Sequence, residues 1–280
     1  MKKLNCAGKT LTFDRTLVMG ILNITPDSFF EGSRYQNLDQ VLSVADQMVK
    51  DGVDILDVGG ESTRPGANGA ITCEQELERV VPVIEALKNN FDQVVSMDTS
   101  SALVIREGAR AGAGMINDVR ALMRDGALEA AAATDLPVVL MHSLVDQPEP
   151  GFVPHYDDVA GEVSDYLLNR VQACEAVGIA RGRLVLDPGF GGGMFGKTPA
   201  YDLQLLNDLN RIVAHGFPVL AGMSRKSFIA AVLDKPAEER LNASLAVAVM
   251  AAQAGASIIR VHDVAETVDV VRMVDAVKSA

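Results

Sequence analysis

The chain has few of the residues and motifs that several protein classes require. It has 280 residues with no tryptophan, three cysteines and four histidines. Cys6, Cys73 and Cys174 lie far apart and form no CxxC or zinc-finger spacing, so we expect free thiols in a reducing compartment. Neither an HExxH motif nor a GxSxG motif occurs, and no nucleophile–base pair stands out. Covalent catalysis is therefore not indicated.

Positive charge and long apolar runs are also scarce. Lysine and arginine number 25 against 37 aspartates and glutamates, which gives a net charge of −12. This balance argues against binding to nucleic acid or to an anionic membrane, although cations inside a cleft can still bind a small anion. No apolar stretch reaches the length of a membrane span, and the basic start Met1–Asn5 leads to no apolar signal segment. The sequence predicts a cytoplasmic protein with no nucleic-acid or membrane partner.

Short apolar runs are abundant, and each stops on polar or charged residues. Eight of them alternate with helical stretches: Val18–Leu22, Val53–Val58, Val94–Met97, Gly114–Ile116, Pro137–Met141, Leu184–Leu186, Pro218–Met223 and Ser257–Ile259. The helical stretches are predicted at 38–51, 73–89, 101–111, 124–134, 156–177, 199–214, 238–254 and 263–278. Eight strands that alternate with eight helices favour an α/β fold of the (β/α)8 TIM-barrel type over a doubly wound sheet.

The remaining segments complete this prediction of one domain over residues 1–280. Residues 1–16 resemble a hairpin whose turn would be Gly8-Lys9. Thr72–Gln75 has the pattern of a capping box. Loops are predicted at Thr25–Tyr35, Ser62–Ala70 and Leu144–Pro154.

Three of the apolar runs end on side chains that can accept hydrogen bonds. Asp98, Asn117 and Asp187 each end an apolar run, and in a barrel they would meet at one face. Two carboxylates and an amide suit a flat heterocycle with several N–H groups, and they would stabilise positive charge that develops on its ring. The alternative is that each residue caps a following helix, as Asp98-Thr99-Ser100 would do well.

Other apolar runs are followed by side chains that can carry positive charge. Arg64, Lys226, Arg260 and His262 would give an acidic protein a local site for an anion, unless they merely pair with nearby carboxylates. Asn23 could bind a hydrated Mg²⁺ together with phosphate oxygens, although a turn over Asn23–Asp27 is the simpler interpretation. His142 could be a site residue or a hydrogen-bonded core histidine.

Residues 191–198 formally match the P-loop pattern GxxxxGK[ST]. The context argues against a phosphate-binding loop, because Asp187–Phe190 separates the preceding strand from the glycines. A true P-loop would use Lys197 to hydrolyse a nucleotide.

From Val18 to its end the chain resembles the dihydropteroate synthase family of pterin-binding barrels. The resemblance rests on eight motifs in order: Met19–Phe29, Asp57–Gly66, Asp98–Ser100, Ile116–Asp118, Leu140–His142, Leu186–Gly191, Gly222–Ser227 and Arg260–Asp263. It implies that a dihydropterin carrying a pyrophosphoryl-methyl group reacts with para-aminobenzoate, with loss of pyrophosphate, to give dihydropteroate for folate synthesis. It also implies an early C–O break, Mg²⁺ as cofactor, sulfonamides as inhibitors and a homodimer.

The same resemblance implies roles for individual residues. The pterin would be held by Asp98, Asn117, Met141, Asp187, Gly222, Lys226 and Arg260. Pyrophosphate would be held by Asn23, Arg64, Arg260 and His262, with Asn23 on the metal. Aminobenzoate would be bordered by Thr63, Pro65, Ser224 and Phe195. The residues expected to carry catalysis are Asp98, Asp187, Lys226 and Arg64.

Two departures from the family pattern stand out. Phe30–Arg34 replaces the sequence that usually continues the first motif, and Gly192–Met194 lengthens the sixth loop by three residues. Removal of these three residues restores the family form and abolishes the P-loop match. We hypothesise that the departures alter discrimination between aminobenzoate and sulfonamides. Rival hypotheses are a pterin-dependent methyltransferase barrel and a non-catalytic pterin-binding module.

Overall fold

Eight parallel strands close into a barrel in the computed structural model, which describes residues 2–24, 34–60, 71–145, 152–191 and 195–280. The strands are β3 (Leu17–Asn23), β4 (Ile55–Gly59), β5 (Val94–Asp98), β6 (Met115–Asp118), β7 (Val138–Met141), β8 (Leu184–Asp187), β9 (Leu220–Ala221) and β10 (Ile258–Val261). Consecutive strands pair in parallel, β10 pairs with β3, and a bridge between Leu186 and Val219 joins β8 to β9. The predicted (β/α)8 barrel is confirmed.

A hairpin of β1 (Lys3–Cys6) and β2 (Lys9–Thr12) precedes the barrel. Its turn is Ala7–Gly8 rather than the predicted Gly8–Lys9, because Cys6 pairs with Lys9. Ala7 and Gly8 have φ values of 52° and 89°, and positive φ at both residues is what a type I′ hairpin turn requires. Leu4 and Cys6 are buried in the same apolar cluster as Met19, so the hairpin packs against the barrel interior.

Helices surround the barrel. They are α1 (Arg34–Lys50), α2 (Cys73–Asn90), α3 (Ala102–Ala111), α4 (Ala127–Ala132), α5 (Val159–Ala176), α6 (Pro199–Asn207), α7 (Leu209–Val213), α8 (Ser227–Leu233), α9 (Leu241–Ala254) and α10 (Val264–Ser279). The helix predicted at 199–214 is interrupted at Asp208, and the seven-residue α8 was not predicted because it is too short to show a period. The capping box at Thr72 is confirmed, with Gln75 closing it. No helix among the described residues is long and apolar enough to cross a membrane.

Candidate active site

The inner surface of the barrel changes from apolar to polar along the strands. Side chains two residues apart on a strand face the same side. Ile55, Val94 and Ile258 belong to the apolar cluster inside the barrel. Two residues further along the same strands come Asp57, Ser96 and Arg260. The carboxyl ends of the strands therefore surround a polar region above an apolar floor.

Arg260 lies between two carboxylates in this region. Its Nε donates to Asp57 Oδ2 at 2.7 Å, and its Nη2 donates to Asp98 Oδ2 at 2.7 Å. Burial lowers the pKa of Arg260, but Asp57 and Asp98 raise it more, so its pKa lies above the usual range and the guanidinium is charged. Burial raises the pKa of Asp98 to about 7 although Arg260 opposes the shift. Arg260 therefore pairs with two carboxylates, Asp57 and Asp98, and its predicted role at pyrophosphate stays a prediction.

Asp98 does not cap a helix. The residue before α3 is Ser101, whose hydroxyl accepts from the backbone N–H of Val104 at 3.4 Å. Asp118 forms the local backbone contacts instead, because its carboxylate accepts from the N–H groups of Arg120 and Leu122. Asp98 is thereby left facing Arg260 and the barrel mouth.

Asp187 and Lys226 are two further buried ionisable groups that influence each other electrostatically. Asp187 Oδ1 accepts from the N–H of Gly189 at 2.7 Å. Burial raises the pKa of Asp187 and lowers that of Lys226, and each opposes the shift of the other. Lys226 Nζ donates to the carbonyl of Phe190, and it lies 5.7 Å from the centre of the Phe195 ring.

The structure places most of the other described site residues nearby. His262 Nδ1 lies 3.1 Å from Ser224 Oγ, whose oxygen also accepts from the His262 N–H. A Cβ added to Gly222 would lie 3.7 Å from Cβ of Arg260 and 3.9 Å from Lys226 Nζ, so this glycine lies beside both side chains. Asn117 and Met141 are buried on their strands, while Asn23 is exposed at the end of β3.

Several predicted residues and segments lie outside the described part of the chain. Thr63, Arg64 and Pro65 are among them, as are the whole loop Ser62–Ala70 and the insertion Gly192–Met194. The loop Thr25–Tyr35 is described only from Arg34, where α1 begins. Their predicted roles therefore remain predictions.

Lys197 packs inside the protein instead of at a phosphate site. It is fully buried, and its Nζ lies 2.8 Å from Nδ1 of His142. Burial lowers the pKa of Lys197 to about 7 and that of His142 to about 2, so the histidine is neutral. Thr198 caps α6. These contacts oppose the P-loop interpretation, and they make His142 a hydrogen-bonded core histidine.

Asp57 is a site residue that the sequence-based prediction missed. It is fully buried and accepts from Asn117 Nδ2 at 3.0 Å as well as from Arg260. Its position inside the apolar run Val53–Val58 concealed it. A signal was present, since a carboxylate in the middle of a predicted buried strand requires a hydrogen-bonding partner.

Comparison with known proteins agrees with this geometry. The model of a family described as pterin binding enzymes matches residues 19–262. The dihydropteroate synthase of Escherichia coli strain K12 is 49% identical over 278 residues, which cover 99% of this chain and 97% of the relative. The chain is also similar to the solved structure of Xanthomonas albilineans dihydropteroate synthase with 4-aminobenzoic acid, with a TM-score of 0.90, 47% identity, and coverage of 99% of this chain and 98% of that one.

A second solved structure, Yersinia pestis dihydropteroate synthase in a sulfonamide drug complex, gives a TM-score of 0.90 at 48% identity and covers 99% of both chains. Identity of this order along nearly the whole chain does not favour the methyltransferase hypothesis. The chain belongs to the family of pterin-binding enzymes, and within it to the dihydropteroate synthases.

Proposed function

We propose that the chain condenses 6-hydroxymethyl-7,8-dihydropterin pyrophosphate with para-aminobenzoate to give 7,8-dihydropteroate and pyrophosphate. The observation that carries this proposal is the grouping of acceptors and cations at one end of the barrel. Asp98, Asn117 and Asp187 supply acceptors there, and Arg260 and Lys226 supply positive charge. Acceptors suit the N–H groups of a pterin, and cations suit a leaving diphosphate.

The bond changes match this distribution of charge. The C–O bond to pyrophosphate breaks first and its electron pair leaves with the diphosphate, where Arg64, Arg260 and His262 would stabilise it. The pterin carbon becomes cationic, and the carboxylates of Asp98 and Asp187 stabilise that charge. The lone pair of the aminobenzoate amine then forms the C–N bond to this carbon, and the amine proton is released to solvent.

We propose Mg²⁺ as the cofactor, with Asn23 as its protein ligand. Mg²⁺ is usually shared between one or two protein oxygens, water and substrate phosphates. Asn23 ends β3 with an exposed side chain, so its amide oxygen suits such a shared site. Among the described residues no group of three His, Cys, Asp or Glu side chains could hold a metal. The bound ion would neutralise charge on the diphosphate.

Aminobenzoate would bind beside the pterin, bordered by Ser224, Phe195, Thr63 and Pro65. Ser224 lies against His262, and Phe195 lies near Lys226, so both border other proposed site residues, which supports this proposal. The loops Thr25–Tyr35 and Ser62–Ala70 would close over the substrates.

Pyrophosphate release tests the proposed reaction. With both substrates and Mg²⁺, we expect release that depends on aminobenzoate. Asp98→Asn is expected to lower kcat/KM about 100-fold or more, because the variant loses the charge that stabilises the pterin cation. The matched control is Asp92→Asn, an exposed carboxylate just before the same strand, which should keep native activity. Absence of aminobenzoate-dependent release from the native chain would refute the proposed function.

Sulfonamides are proposed as inhibitors because they resemble aminobenzoate, and the complex of the Yersinia relative supports this. We expect deletion of Gly192–Met194 to change the ratio of the sulfonamide inhibition constant to the aminobenzoate KM, since the insertion precedes Phe195. Steady-state inhibition of both forms measures this ratio. An unchanged ratio would show that the insertion has no part in discrimination.

A homodimer is proposed through α9 and α10. Met273 and Val277 on α10 are 65% and 70% exposed, and together with Val249 and Val270 they line an apolar groove. A second copy of the chain would cover this surface. Sedimentation at micromolar concentration should show a dimer, and Met273→Lys should shift it to monomer. A native chain that sediments as a monomer would contradict this proposal.

A cytoplasmic location is also proposed. Cys6, Cys73 and Cys174 are free cysteines, which suits a reducing compartment. Cell fractionation would test it, and recovery of the protein outside the cytoplasm would exclude it.

A further inference from the structure

Asp57 connects two strands that are not neighbours of its own. It lies on β4, whereas Asn117 lies on β6 and Arg260 on β10, each two strands away in opposite directions around the barrel. One oxygen, Asp57 Oδ2, accepts from both Asn117 Nδ2 and Arg260 Nε. A single buried carboxylate therefore holds two of the proposed pterin-binding side chains.

The hydrogen bond to Asp57 determines which way the Asn117 amide faces. An asparagine amide has one NH₂ group and one oxygen, and the two can exchange places by rotation. The NH₂ of Asn117 must face Asp57, because the reverse orientation would place two acceptors against each other. The oxygen of Asn117 is thereby directed away from Asp57, where it adds an acceptor to those of Asp98 and Asp187.

The same carboxylate determines the plane of the Arg260 guanidinium. Nε is held by Asp57 and Nη2 by Asp98, both at 2.7 Å. Contacts from two different nitrogens of a planar group to two different carboxylates leave it little freedom to rotate. The remaining N–H groups of Arg260 therefore have a set direction before substrate binds.

A purely stabilising role fits Asp57 poorly. Its second oxygen, Oδ1, is buried with no hydrogen-bond partner among the described residues, and the same holds for Oγ of Ser96, its register partner on β5. A buried carboxylate with one unsatisfied oxygen lowers stability compared with a fully bonded one. Its position instead lets the other oxygen, Oδ2, accept hydrogen bonds from both Asn117 and Arg260.

We infer that Asp57 is a positioning residue, which orients the amide of Asn117 and the guanidinium of Arg260 for the pterin substrate before that substrate binds. This inference rests on the proposed function. Asp57 does not touch the reacting atoms, so its effect should appear in pterin affinity more than in the affinity for aminobenzoate.

Two substitutions test the inference. Asp57→Asn keeps the shape and removes the charge, and Asp57→Leu removes both hydrogen bonds. We expect the KM for the dihydropterin pyrophosphate to rise about tenfold in the first and about 100-fold in the second, with the KM for aminobenzoate changed less than about threefold. The Kd of 6-hydroxymethylpterin, measured by calorimetry without turnover, should rise in the same order.

A matched control uses the other end of the same strand. Asp54 immediately precedes β4, where it pairs with Arg15 and accepts from the N–H of Val18 at 2.9 Å. Asp54→Asn is expected to lower the melting temperature and leave the pterin Kd unchanged. Loss of a carboxylate that only stabilises the fold should therefore lower the melting temperature, whereas loss of Asp57 should raise the pterin Kd.

The outcomes separate this inference from the proposed function. The inference alone would be overturned if folded Asp57→Asn had native activity and a pterin Kd within about twofold of the native value. An equal rise in both KM values that follows a loss of melting temperature would also overturn it, since that is the result of general destabilisation. A native chain that releases no pyrophosphate would overturn the proposed function, while the calorimetric comparison would still test Asp57.

Discussion

Arg260→Met is expected to abolish activity and to destabilise the folded chain. The substitution leaves Asp57 and Asp98 as neighbouring carboxylates with no cation between them. Loss of one partner of a buried ion pair costs about 3–5 kcal/mol. Activity should fall by about 10³-fold or more, because the variant loses a cation proposed to stabilise the leaving diphosphate. Denaturant unfolding and pyrophosphate release measure the two effects.

Two comparison variants separate charge from geometry. Arg260→Lys keeps the charge but cannot contact both carboxylates with a planar fork, so it should recover stability better than activity. Arg211→Met removes an exposed pair with Asp158 far from the barrel interior, and little change is expected. If Arg260→Met were as stable and active as Arg211→Met, the network would have no part in folding or in the reaction.

Gly189→Ala is expected to cause the second largest loss. Gly189 has a φ of +71°, and a Cβ there would lie 2.1 Å from the backbone carbonyl oxygen of His142. The backbone must move to relieve this clash. Asp187 and Phe190 would move with it, because Gly189 N–H donates to Asp187 and the Phe190 carbonyl accepts from Lys226. We expect activity to fall about 100-fold or more as the site loses its geometry.

Gly216→Ala is the matched control for this prediction. Gly216 has a φ of +84°, but nothing lies within 4 Å of an added Cβ. Gly216→Ala therefore shows the free-energy cost of a left-handed backbone by itself, about 1–2 kcal/mol, without the cost of a clash. Thermal unfolding and pyrophosphate release of both variants make the comparison. Equal losses in the two variants would show that the contact with His142 is unimportant.

The local pattern of the sequence determined most of the barrel. Apolar runs that alternate with helical periods predict the number and order of the strands, because both periods are properties of the backbone. The same local pattern identifies Asp98, Asn117 and Asp187, because each directly follows an apolar run. Strand lengths instead depend on pairing between strands. The run Pro218–Met223 contains a strand of only two residues, since barrel closure on β8 uses a single bridge at Val219.

Contacts between distant residues were decided only by the tertiary structure. Asp57 and Arg260 are 203 residues apart, and no local period predicts that they share a hydrogen bond. Lys197 and His142 are 55 residues apart in the chain and in contact in the structure. Because both are buried, the apparent phosphate-binding motif is part of the core. The sequence by itself determined which residues stand at the ends of the strands, because strand periodicity is local. Closure of the barrel decided which of them meet, because it brings together side chains from strands on different sides of the ring.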